Sequence, residues 1–272
     1  MGGSLALALK ERRVCRKVVG LVRRRDAAEE AVQTGAVDEA TTEPAAALGQ
    51  ADIVVFSTPV RVIIHQLADY APFYKAGATI TDMGSTKQAI VEAMVSLPPH
   101  VYPVGSHPMC GKELTGLAAA EASLYAGAPW ILSPLDRTPP TALELVRELA
   151  EVIGAKPQII PADRHDKLVA AISHLPYAVA ATLVLSAQQV ARTDPAVWEV
   201  AATGFRDTSR VAASDVTMML DILLTNREAV GQMLDLARHQ LDLFAKAIES
   251  GDEEALRALM AQAAQQRRSL YK

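Results

Sequence analysis

Ala51-Asp52-Ile53-Val54-Val55-Phe56-Ser57-Thr58-Pro59 is an apolar, β-branched run that closes on two hydroxyls and a proline. A helical pattern over residues 60–68 follows, and then a second run of the same kind, Ala78-Thr79-Ile80-Thr81-Asp82-Met83. Strand, helix and strand in this order form the β-α-β unit of a parallel sheet. Neither run alternates strictly, as expected of strands covered by helices on both faces. Working outward, residues 17–22, 102–104, 130–132 and 158–160 repeat the strand character, and helical patterns at 27–34, 87–95 and 140–153 fill the gaps. Pro140 suits a first helical turn and Gly154 a C-terminal stop.

After Asp163 the strands vanish, and the rest reads as helices over about 163–190 with a break near Pro176, 195–203, 207–213, 215–224, 226–250 and 252–265. The expected division is a dinucleotide-binding domain over 1–162 and an all-α domain over 163–272. Met233, Leu234, Leu236, Ala237, Leu241, Leu243, Phe244 and Ile248 cover more than one face of their helix, which points to a homodimer. At the start, Gly2-Gly3-Ser4-Leu5-Ala6 reads as the end of a Gly-x-Gly-x-x-Gly fingerprint, with residues 4–10 as its helix. The fold class is thus an α/β Rossmann-like doubly wound sheet followed by an all-α dimerisation domain. The fingerprint's first strand and two glycines are expected upstream of Met1, in a longer natural protein.

Composition bounds the function. With 27 Lys plus Arg against 31 Asp plus Glu, the net charge of −4 excludes a basic nucleic-acid binder. Half the residues are apolar, which excludes disorder. Cys15 and Cys110 make no disulfide framework or zinc pattern, so a cytoplasmic setting is expected. The uncharged stretch 168–191 contains His174, Pro176, Gln188 and Gln189 and reads as a buried helix rather than a membrane span. The first ten residues do not read as a signal peptide.

Several positions carry chemistry. Arg23, Arg24 and Arg25 close the strand where an NAD enzyme places a ribose-binding acid. They suit a 2′-phosphate, or else a solvated helix start that Asp26 caps. Ser57, Thr58 and Pro59 sit at a carboxyl strand end, where such sheets bind ligands, and Thr58 doubles as a candidate N-cap. Ser85, in Asp82-Met83-Gly84-Ser85-Thr86-Lys87, occupies the equivalent place one strand later as a crevice hydroxyl or a helix cap. Its neighbour Gly84 allows close backbone approach. His107, in Gly105-Ser106-His107-Pro108-Met109, follows the next strand, and Glu113 lies six residues on. His165 and His174 are nine apart, which does not fit adjacent metal ligands on one helix face, so no metal is expected. Arg206 and Arg210, four apart, suit a carboxylate clamp, and the alternative, an ion pair of Asp207 with Arg210, still leaves Arg206 to face a ligand.

Together these motifs resemble one family, the prephenate and arogenate dehydrogenases. The likeness runs from Gly-Gly-Ser-Leu-Ala through Ser-Thr-Pro, Asp-x-Gly-Ser-x-Lys, Gly-Ser-His-Pro-Met-x-Gly-x-Glu and Ser-His-Leu-Pro to Gly-Phe-Arg-Asp-Thr-Ser-Arg. The resemblance implies oxidative decarboxylation of a cyclohexadienol by NADP or NAD, NADP being favoured, in tyrosine biosynthesis. It implies that His107 and Ser85 act on the substrate hydroxyl and that Arg206 pairs with the ring carboxylate. Arg210, His174, Glu113 and Tyr177 would line the substrate, and Gly2, Gly3, Ser4, Arg23–Arg25 and Ser57–Pro59 the dinucleotide. Tyr177 stands where some prephenate-using members carry histidine, which leans toward arogenate and the cyanobacterial, NADP-linked branch. Two other readings stay open: a β-hydroxyacid or pyrroline-carboxylate reductase type of enzyme with Lys167 in the catalytic place, and a non-catalytic relic that dimerises.

Overall fold

In a computed structural model of the protein, residues 1–111 and 116–270 are described. The chain opens with α1 (Gly2–Arg12), β1 (Val19–Leu21), α2 (Arg25–Gln33), β2 (Glu39–Thr41) and α3 (Pro44–Leu48). It continues with β3 (Ile53–Phe56), α4 (Val60–Asp69), β4 (Thr79–Asp82), α5 (Gln88–Val95), β5 (Tyr102–Pro108), β6 (Pro129–Pro134), α6 (Pro140–Val152) and β7 (Lys156–Ile159). Helices follow: α7 (Ala162–Val169), a π turn (Ala170–His174), α8 (Leu175–Ala191), α9 (Ala196–Glu199), α10 (Thr203–Ser209), a 3₁₀ turn (Arg210–Ala213), α11 (Val216–Thr225), α12 (Arg227–Ser250) and α13 (Glu253–Leu270). Two compact units result, residues 1–226 and 227–272, so the helices from Ala162 to Thr225 belong to the same unit as the sheet.

Five strands pair in the order β3-β4-β5-β6-β7, and β1 pairs with β2 in a separate parallel ribbon. The sheet is not wholly parallel as expected: β6 runs antiparallel to β5, with Gly105 opposite Ser133 and His107 opposite Ile131. Among the described residues, the connection from β5 to β6 holds two 3₁₀ turns, Leu117–Ala119 and Ala122–Tyr125, where the other connections within this sheet carry an α-helix. β4 is buried at all four residues because helices cover both faces. On one side Leu5, Ala8 and Leu9 of α1 and Val146, Leu149 and Ala150 of α6 pack with Met83, Val104 and Leu132. On the other, Ile63 and Leu67 of α4 and Ile90 and Met94 of α5 pack with Val54, Phe56 and Ile80.

The expected stretch 163–190 forms as α7, the π turn and α8, with the irregular turn placed just before Pro176. The helix runs on through all three from Ala162 to Ala191, so Pro176, which has no N–H to give, sits in its interior directly after the π turn. That stretch is not the buried helix anticipated: only 22% of its most apolar window is covered, and Ile172, Leu185 and Val190 are exposed. It is also the one helix among the described residues that is long and apolar enough to cross a membrane.

Candidate active site

Two neighbouring strand ends and the helices after them carry the site. Asp82 ends β4, and its carboxylate accepts the backbone amides of Gly84 at 2.7 Å and Ser106 at 2.9 Å, together with the Lys87 ammonium. The Asp82 and Lys87 side chains are wholly buried. A buried ion pair survives desolvation only if further hydrogen bonds fill the remaining lone pairs, which both backbone amides do here. Burial pulls the Lys87 ammonium below its ordinary basicity, against the opposing pull of Asp82. One carboxylate thus fixes both the residue before Ser85 and the residue before His107. Gly84 is dictated by space as well: a Cβ there would collide with Ile90 and lie 3.0 Å from the Asp82 carboxylate.

Ser85 is half-buried in this loop and does not cap α5. The amides of Lys87 and Gln88 instead bond the Asp166 carboxylate, at 2.7 and 3.0 Å. Asp166 belongs to α7, so it caps α5 from a distant part of the chain. His107 is the next-to-last residue of β5 rather than the first after it, and its Nδ1 lies 2.9 Å from Nε2 of His165. His165 in turn places Nδ1 2.7 Å from Asp166 Oδ1. His174, in the π turn, has Nδ1 3.2 Å from Nδ2 of Asn226, which also donates to the Asp166 carbonyl at 2.7 Å. Single π turns inside helices recur at functional sites.

Burial is the main reason the His107 imidazolium is disfavoured, and the neighbouring His165, Lys87 and His174 add to it, so its pKa falls well below the ordinary histidine value. Burial likewise pushes His174 down to about 4. Both rings are neutral at pH 7, and a neutral imidazole can accept a proton.

Of the residues expected to hold the dinucleotide, Gly2 and Ser57 meet at the N-terminus of α1. A Cβ on Gly2 would run into the Ser57 hydroxyl and one on Gly3 would lie 2.6 Å from Leu117, so Gly2 lets α1 approach the β3–α4 turn and Gly3 lets it approach the segment at Leu117. No side chain caps α1, whose leading amides suit a diphosphate, and this cradle fits a dinucleotide. Ser4 is buried and accepts the amide of Glu121 at 3.1 Å. Thr58 is not an N-cap: Pro59 holds that position, and the Thr58 hydroxyl is 2.8 Å from Oε1 of Gln66. Asp26 is not the cap of α2 either, since Arg24 holds that position and its Nε donates to Asp26 at 3.0 Å. Arg23, Arg24 and Arg25 are all exposed.

Arg206 stands apart from the histidines. Its exposed guanidinium donates to Asp207 at 3.0 Å, so Asp207 serves Arg206 where a pair with Arg210 was the alternative. Its helix α10 packs on α8, which begins immediately after His174, and Tyr177 lies half-buried in that first turn. Arg210 opens the 3₁₀ turn after α10. Glu113 lies outside the described residues. From the sequence His165 was weighed only as a metal ligand and rejected, and Asp166 and Asn226 were not singled out. Nothing in their spacing signals a contact with His107 or His174 across 58 and 52 positions.

A family model described as the nucleotide-binding domain of prephenate dehydrogenase matches residues 5–159, and one described as its dimerization domain matches residues 161–262. A prephenate dehydrogenase from Bacillus subtilis is 33% identical over 260 residues, 94% of this chain and 70% of that protein. The crystal structure of prephenate dehydrogenase from A. aeolicus in complex with hydroxyphenyl propionate and NAD+ superposes with a TM-score of 0.89 at 29% identity, covering 98% of this chain and 93% of the other. Synechocystis arogenate dehydrogenase superposes with a TM-score of 0.84 at 30% identity, covering 98% and 95%. With both models matched in order across nearly its whole length, the chain belongs to the prephenate dehydrogenase family.

Proposed function

We propose that this protein oxidatively decarboxylates a cyclohexadienol diacid of the prephenate or arogenate type, giving the aromatic product from which, or as which, tyrosine is made. The observation that carries this reading is His107, a largely desolvated neutral imidazole at the carboxyl edge of the sheet, held against His165 in a chain of this family. A nicotinamide dinucleotide bound here would supply the hydride acceptor for the ring carbon that bears the hydroxyl. His107 takes the hydroxyl proton as that carbon becomes carbonyl-like, and Ser85 holds the same hydroxyl or orients the imidazole. Arg206 pairs with the ring carboxylate, an interaction typically worth about 1.5–3 kcal/mol, and Arg210, His174, Tyr177 and Glu113 line the remainder. Gly2, Gly3, Ser4, Ser57, Thr58 and Pro59 hold the dinucleotide.

Arg23, Arg24 and Arg25, exposed beside α2, support an NADP preference through a 2′-phosphate. Tyr177 and the likeness to the Synechocystis enzyme favour arogenate. Functionally we divide the chain at residue 162 into a dinucleotide domain and a substrate and dimerisation domain. The exposed apolar residues Ile172, Val179, Leu185 and Val190 support burial against a second subunit. Cys15 and Cys110 are both free, in keeping with a cytoplasmic setting. Purified protein supplied with each substrate and each dinucleotide, followed at the reduced-nicotinamide absorbance, tests the reading. Turnover fastest with arogenate and NADP+ is the expected result, and no turnover with either acid defeats it.

A further inference from the structure

We propose that His165 and Asp166 are positioning residues that lock His107 in the tautomer carrying its proton on Nδ1, so that a bare Nε2 faces the substrate hydroxyl. This rests on the reading of His107 as the proton acceptor and adds the two residues that make it one. The Asp166 carboxylate is an acceptor with three donors around it: the backbone amides of Lys87 and Gln88 and Nδ1 of His165. An ionised carboxylate 2.7 Å from Nδ1 of His165 requires a proton on that nitrogen. Neutral His165 then has no proton on Nε2, and a 2.9 Å contact with Nδ1 of His107 is a hydrogen bond only if His107 donates it. One lone pair remains on His107, at Nε2.

The same chain accommodates the proton once it is taken. The substrate O–H bond breaks and an N–H bond forms at His107 Nε2, while Nδ1–H stays bonded to His165. The positive charge on His107 is then shared toward His165 and faces the Asp166 carboxylate beyond it. His165 and Asp166 are 1% and 2% exposed, so water does not compete for these bonds. Among the described residues, Lys87, which is paired with Asp82, and His174 also act on His107.

Asp166→Asn tests this directly, because an amide nitrogen turned toward His165 takes away the acceptor that fixes the chain and favours the opposite tautomer in both rings. On the full-length protein, ¹⁵N–¹H correlation spectra of the histidine rings should show His107 protonated at Nδ1 in the wild type and at Nε2 in Asp166→Asn. kcat should fall about a hundredfold or more with KM nearly unchanged. If Asp166→Asn does not fold for want of its bonds to α5, His165 decides. His165→Gln, whose carbonyl can accept from His107, should stay within about tenfold of wild type, and His165→Leu should lose about a hundredfold. A wild-type His107 protonated at Nε2, or equal kcat in the Gln and Leu variants, overturns the proposal. A wild-type protein with the predicted tautomer and no turnover instead defeats the functional reading and leaves the relay standing.

Discussion

His107 sets the pH dependence expected of the enzyme. Its pKa is lowered by burial and by His165, Lys87 and His174, so the ring stays neutral as pH falls through 6.5 and protonates only well below. The acidic limb of kcat/KM should therefore lie below the ordinary histidine range, and a limb at 6.5 or above contradicts the site's electrostatics. His107→Ala should lower kcat about a hundredfold or more. Arg206→Ala should raise KM strongly, and a kcat/KM within about twofold of wild type removes Arg206 from the carboxylate. His174 links folding to pH. In the unfolded chain it protonates near 6.5 and in the fold only near 4, so stability is intact above 6.5 and is lost as pH falls toward 4. The loss amounts to about 3 kcal/mol at most and should be absent from the urea midpoints of His174→Asn. Ser85 and His107 could be singled out from sequence because each falls near the end of a strand-like run. His165, Asp166 and Asn226 were not, because a relay is a fact of three dimensions: its members lie on elements that only folding brings together.

At the scale of elements, the β4–α5 turn is the most constrained piece of the molecule. Gly84→Ala would push a methyl into Ile90 and against the Asp82 carboxylate, and it should cost about 1–3 kcal/mol by urea denaturation. It should also lower kcat, since Ser85 moves with the turn. Strands and helices with long apolar periods were readable to within a few residues, as α4 and α6 illustrate. β2, Glu-Ala-Thr, and α3, Pro-Ala-Ala-Ala-Leu, were missed because three to five residues hold too little pattern to read. The direction of β6 was misread because β-rich runs carry no sign of direction. The turn before Pro176 was foreseen as a break but not as a π turn, which depends on how the helix carries His174 toward Asn226.

The whole molecule is expected to be a dimer, built on an apolar helix too exposed to stand in water alone. Light scattering at micromolar concentration should give twice the 29.0 kDa chain mass, and Leu185→Glu should shift it toward the monomer. The all-α character of the second half followed from the loss of strand pattern after Asp163. The proposed sharing of the chemistry between the halves rests on the motifs: His107 sits on the sheet, and Arg206 on a helix packed against α8. The most direct test of the central claim is single-turnover reaction of the purified protein with arogenate and NADP+, comparing wild type with His107→Ala. Stoichiometric carbon dioxide and NADPH from the wild type, with the burst slowed about a hundredfold in the variant, is the predicted result. Equal bursts, or none from the wild type with either acid and either dinucleotide, would contradict it.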